Sequence, residues 1–186
     1  PFDPLGVRHA LPSCKKFHGK QGKQDLLGFG FDRAKGEELD QNALIGALLS
    51  GETDEPQHAT AGYPEFTDWP NAHFSSTHQV QYYKWLKRAY LGGQRLTIQM
   101  ATSNEMICHL LEGSDTQPTR YSCNDMVAID KVLKKTKRME RYIDAQNGGP
   151  GEGWFRIVET PEEAREVIND GQMAVVLSIE VSNLFD

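Results

Sequence analysis

The stretch MAVVLSIEVSN places one carboxylate, Glu180, directly behind an apolar, β-branched run from Met173 to Ile179. In parallel α/β folds the loops at the carboxyl ends of strands open the sheet, and functional residues gather there. An acid at such an end is a candidate ligand for a divalent cation. In a dry site its charge must be paired, protonated or bound to a metal. The plain alternative is an exposed acid on the turn after the strand, or the partner of an arginine in the same layer. Asn104 and Glu105 follow the strand-like RLTIQMA and form a second polar pair at a strand end. Their plain alternative is helix capping, because Asn and Glu in a first turn suit the helix dipole without any substrate.

The histidines are His9, His18, His58, His73, His78 and His109, and they form neither HxH nor HExxH, so no zinc signature lies within the sequence. His73 and His78 are spaced too unfavourably to share a helical face, and a lone histidine such as His109 in an apolar helix is ordinarily structural. HGKQGKQD lacks the spacing of a phosphate loop. Lys131, Lys134, Lys135, Lys137, Arg138 and Arg141 alternate with Asp130 and Glu140, which describes a solvated helix face better than a nucleic-acid groove. No nucleophile elbow is present.

These groups need elements to position them. Residues 1–40 read as irregular structure, and QNALIGALLSG as a short helix ended by Gly51. ETDEPQHATAGYPEFTDWPNAHF carries three prolines and no period. Beyond it, SSTHQVQYYKWLKRAYLGG offers Ser and Thr as caps and Gly92–Gly93 as a stop. RLTIQMA then predicts a strand, and TSNEMICHLLEG a helix capped by Thr102 or Ser103. A long helix over about 122–146, opened by Ser122, turns Met126, Ile129, Val132, Leu133, Met139, Tyr142 and Ile143 to a core. WFRIVET predicts a strand. TPEEAREVINDG predicts a helix with Thr160 as cap, Pro161 in the first turn and Gly171 as stop, and 173–179 a buried strand. The alternation is that of an α/β fold, a partial (β/α) barrel or a doubly wound sheet. One domain spans 1–186, loop-rich over 1–75 and built of β/α units over 76–186.

The composition agrees. Of 186 residues, 38% are hydrophobic and 25% charged, as in a globular protein, and the net charge of −6 argues against a dedicated nucleic-acid binder. No apolar run reaches the length of a membrane span. Cys14, Cys108 and Cys123 have no metal-ligand spacing. One bridge with one free thiol, or three free thiols, fits equally.

Three stretches carry a resemblance over nearly the whole chain: ALPSCKKFHGKQGKQD, then GYPEFTDWPNAHFSSTHQVQYYKWLKRAYLGGQRLTIQMATSNEMIC, then YIDAQNGGPGEGWFRIVETPEEAREVINDGQMAVVLSIEVSNLF. The chain resembles bacterial metal-dependent hydrolase-like proteins similar to membrane dipeptidases of the amidohydrolase superfamily. The resemblance implies a TIM-like (β/α) barrel holding one or two divalent metals, zinc above all, at the carboxyl ends of its strands. It implies that Glu180 is a bridging metal ligand, since a carboxylate can offer one oxygen to each of two cations. The metals would activate a shared water and polarise the scissile carbonyl of an amide or peptide. His18, His78, Asn104 and Glu105 become candidates for lining the cleft around a small-molecule or peptide substrate.

The family's first-strand histidine motif and its later ligands fall outside these residues. The expectation is therefore an internal portion of a longer barrel, completed by the rest of its polypeptide or a larger assembly. The alternative is a degenerate barrel segment that serves as a structural or binding module without catalysis. On the first reading the isolated 186-residue chain binds zinc poorly, because it offers one ligand of several. Calorimetric titration with zinc checks this, and tight stoichiometric binding would place the ligands elsewhere.

Overall fold

The computed structural model describes residues 2–10, 15–26, 29, 41–53, 56, 82–111 and 122–184. They fall into two compact units, one drawn from Asp3–Trp85 and the other from Phe2, Leu86–Glu112 and Arg120–Asp186. The first holds short helical turns, α1 (Val7–Ala10), α2 (Lys15–His18) and a 3-10 turn (Lys20–Gly22), and then α3 (Gln41–Ser50). Gly51 stops α3 in a left-handed conformation (φ 71°), as the sequence predicts. Beyond it, the backbone N–H of Thr53 donates to the Lys23 carbonyl at 2.7 Å. The aromatic–proline stretch lies almost wholly outside the described residues.

The second unit is an α/β sheet of parallel strands, the class the alternation predicts. Helix α4 (Tyr83–Leu91) leads into β1 (Leu96–Thr102), and the chain continues through α5 (Glu105–Leu111), α6 (Asp125–Gln146), β2 (Phe155–Val158), α7 (Pro161–Asn169) and β3 (Met173–Glu180). The strand order is β1–β3–β2, so β3 is central. Its first half is sealed, with Met173, Ala174 and Val175 fully buried. The ladder with β1 runs from Leu96–Ala174 to Thr102–Glu180, whereas that with β2 stops at Val158–Val176. Among the described residues, the tip of β3 is therefore paired only on its β1 side.

Local chemistry explains the helices. Thr160 and Glu163 make a reciprocal capping box on α7, with Pro161 in its first turn. The long helix α6 starts three residues later than expected, at Asp125. Its cap is Asn124, whose side chain accepts from the Val127 N–H at 3.0 Å, and the Ser122 hydroxyl instead accepts from the Asn124 N–H. Ile129, Met139 and Ile143 are buried along it, and the basic residues of 131–141 are exposed as a solvated face.

The carboxyl end of α6 is fastened by Asp144. Its carboxylate accepts from Gly151 N–H at 3.1 Å and from Gly153 N–H at 3.0 Å, and Arg156 Nη1 donates to its two oxygens at 2.7 and 2.9 Å. Gly153 is obligatory there, because a Cβ would lie 2.5 Å from Asp144 Oδ1. Glu140 extends the clamp by accepting the Ile157 N–H at 2.8 Å. The glycine-rich loop is thus a fixed connector from helix to strand.

Burial pushes the Asp144 carboxyl up, but the hydrogen bonds from Arg156, Gly151 and Gly153 and the Arg156 charge outweigh it, holding the group below its ordinary 3.8. A depressed carboxylate adds stability above its unfolded value, and that contribution is lost as pH falls through the folded value. Thermal unfolding should therefore show a midpoint that drops as pH falls below about 4. Asp144→Asn should start less stable, by about 1–3 kcal/mol, and show a shallower acid limb. An unchanged acid limb would remove Asp144 as its source.

Candidate functional site at the carboxyl end of the sheet

Glu180 is the last residue of β3 and is exposed. Its backbone carbonyl accepts from Ser103 N–H at 3.0 Å, which extends the β1–β3 pairing by one bond beyond the ladder. The register pairs it with Thr102, so the pleat puts Glu180 on the face that carries Leu96, Ile98 and Met100 on β1 and Val176 on β3. All four of these apolar residues are exposed, Ile98 at 63%. The alternate residues of β1, Thr97, Gln99 and Ala101, are half-buried or buried. An apolar row standing outward on a parallel sheet is unusual, because such sheets are ordinarily covered on both faces.

Asn104 and Glu105 lie at the same end of the sheet as Glu180. Asn104 is the cap of α5: its Oδ1 accepts from Ile107 N–H at 2.9 Å, and its carbonyl accepts from Cys108 N–H at 3.0 Å. The expected caps are used elsewhere, since Thr102 closes β1 and the Ser103 N–H goes to Glu180. Pairing across the sheet takes both residues before the helix can. Glu105 is engaged on both oxygens, by Asn183 Nδ2 at 2.8 Å and by His109 Nε2 at 3.5 Å. His109 is exposed one turn along α5 and belongs to no core.

The group that organises this end does not stand out in the sequence. Asp125, the first residue of α6, is 1% exposed. Its Oδ2 accepts three hydrogen bonds from the segment after β3: from Ser182 N–H at 3.0 Å, Ser182 Oγ at 2.7 Å and Asn183 N–H at 3.0 Å. Ser182 Oγ in turn accepts from Glu105 N–H at 3.1 Å. Burial pushes the Asp125 carboxyl up, but the bonds from Ser182 and Asn183 outweigh it and hold it below the usual carboxylate range. An acid in a first turn is the only local signal for it.

A disulfide, Cys108–Cys123, ties α5 to the residue just before the cap of α6, and so decides between alternatives that the sequence leaves open. Cys14 lies outside the described residues, as does His78. His18 is in the first unit, where its Nδ1 lies 3.6 Å from Asp25 Oδ2. Among the described residues no cluster of three or more His, Cys, Asp or Glu side chains is placed to hold a metal. Glu105 is already engaged, and Glu180 by itself is one carboxylate at a strand tip, so among the described residues this end of the sheet holds no complete donor set for a metal. No helix among them is long and apolar enough to cross a membrane. Comparisons with family models, with curated proteins and with solved structures each return no match.

The bridge closes a segment with a sequence separation of 15, for which loop entropy gives about 3 kcal/mol. Cys108→Ser should lower the urea midpoint accordingly. A reductant should lower that of the native protein to the same level and leave the variant unmoved. Equal midpoints with and without reductant in the native protein would show that the bridge contributes nothing.

Proposed function

We propose that these β/α units belong to a TIM-like (β/α) barrel of a metal-dependent hydrolase that cleaves an amide or peptide bond, with Glu180 as a metal ligand. The observation that carries this reading is the sheet face that ends in Glu180. Barrel interiors are packed by bulky, alternating side chains in layers, with the chemistry at the carboxyl end. Leu96, Ile98, Met100 and Val176 have the composition and alternation of such a lining, and Glu180 stands at its carboxyl end. The parallel pairing and the intervening helices fit a β/α fold, while the order β1–β3–β2 departs from the consecutive order in which strands neighbour one another around such a barrel.

A divalent metal, zinc being the expected one, supplies a bound water acidic enough to attack a carbonyl carbon and a charge that polarises its oxygen. Glu180 contributes two oxygens and a negative charge from a strand tip. Asn104 and Glu105, engaged in the cap and with Asn183, hold the wall beside it and do not reach for substrate. The Ser103 N–H on the Glu180 carbonyl ties the backbone of that residue to the end of β1.

Glu180→Ala in the full polypeptide should reduce bound metal, measured by atomic emission, and bring dipeptide hydrolysis to background. Unchanged metal content and turnover would remove Glu180 from any such site. A native protein with neither bound metal nor dipeptide hydrolysis would instead stand as a non-catalytic structural or binding module.

A further inference from the structure

Helix α5 is held in place by ties more than by packing. It has seven residues, too few for a helix to keep its shape in water unaided. Met106 and His109 are exposed, and among the described residues α5 has little packing against any strand or other helix. Hydrogen bonds fix its first turn. The Glu105 N–H donates to Ser182 Oγ at 3.1 Å, Asn183 Nδ2 donates to Glu105 Oε2 at 2.8 Å, and Asn104 caps the Ile107 N–H. The remaining tie is covalent. Cys108, three residues after Glu105 and so on the same side of the helix, is bridged to Cys123. Cys123 directly precedes Asn124, the cap of α6, and Asp125, whose Oδ2 holds Ser182 and Asn183. The bridge and the hydrogen bonds therefore run side by side from α5 to the start of α6, with the segment after β3 caught between them.

We propose that Cys108–Cys123 is a redox latch: as a disulfide it keeps α5 docked at the carboxyl end of the sheet, and as two thiols it lets α5 come away from the segment after β3. No ligand at Glu180 is needed for this, so the latch stands or falls apart from the hydrolase reading. The two sulfurs are unequally placed, since Cys123 is 7% exposed and Cys108 is half-buried on the helix with the outward side chains. The reductant is a dithiol. One of its thiolates attacks Cys108 Sγ, the S–S bond breaks, and Cys123 leaves as a thiolate that takes a proton from water. The second thiol, deprotonated, attacks the mixed disulfide and releases Cys108 as a thiolate, which is protonated in turn. Two electrons pass to the protein, and the dithiol closes into its own disulfide. Loop entropy makes a bridge worth most against openings that part its two ends. Reduction therefore acts first on the local detachment of α5. Ser182 and Asn183 keep their bonds to Asp125 and loosen less, and the Asp144 clamp at the far end of α6 is untouched.

The test is residue-resolved hydrogen exchange on the full polypeptide, with and without dithiothreitol, in a Cys14→Ser background that leaves no third thiol to exchange with the bridge. Reduction should speed exchange at the Glu105, Ile107 and Cys108 amides by about tenfold to a hundredfold, the upper figure being the whole loop entropy of the bridge. The Ser182 and Asn183 amides should quicken less, and those of Gly151 and Gly153 should keep their rates. The Cys108→Ser, Cys123→Ser double variant should show the fast α5 amides whether or not dithiothreitol is present. Unchanged α5 amides in the reduced protein, one common acceleration that includes Gly151 and Gly153, or loss of the fold on reduction would each overturn the latch. So would a double variant that still responds to dithiothreitol. A latch must also open without unfolding. Reduction of the native protein should be proportional to dithiothreitol and flat across urea concentrations below the unfolding transition. A rate that climbs steeply with urea would show that only the unfolded chain is reduced, and the bridge would then be a structural staple alone.

Discussion

A carboxylate taken out of water must be met by hydrogen-bond donors, and this requirement organises the second unit. Two such carboxylates stand at opposite ends of α6. Asp125 collects its donors from the segment after β3, and Asp144 collects its own from the glycine-rich loop and from Arg156 on β2. Propensity can make a helix, but it cannot say where the helix points. Here the two acids do so, because either end can be satisfied only if the helix lies along the sheet with its first turn at the carboxyl end of β3. The burial of Ile129, Met139 and Ile143 is then on the side facing the core.

Much of this is legible in the sequence where the cause is local. The capping box at Thr160 and Glu163, the glycine stops and the apolar closing strand are written in neighbouring residues, and the elements stand where those signals put them. Misplaced boundaries share one cause. Ser122 and Asn124, or Thr102 and Asn104, all belong to the residue types that cap helices, and residue type does not choose within either pair the one that the fold uses. Thr102 is lost to the ladder with β3, which no window around residue 102 contains.

The candidate site divides in the same way. Glu180 can be picked out because a charged residue behind an apolar run is a local anomaly. Asp125 cannot, because an acid in a helix's first turn looks the same whether it faces water or three donors 57 and 58 residues away. The pattern of β1 misleads in a different sense. LTIQMAT alternates as a half-buried strand should, yet Thr97 and Gln99 lie inward while Leu96, Ile98 and Met100 stand outward. Alternation fixes which residues share a face, and tertiary structure decides which face is covered.

The strand order has a consequence for how the unit is made. In the order β1–β3–β2 the middle place belongs to the strand latest in sequence. β1 and β2 have no hydrogen-bonded strand neighbour within this sheet until β3 arrives between them. On a ribosome adding about 5–20 residues per second, β1 waits several seconds for its partner. Throughout that interval it offers an open edge together with Leu96, Ile98 and Met100, a combination that invites pairing with other nascent chains. The interval between translating β1 and delivering β3 is therefore when this chain most needs a chaperone.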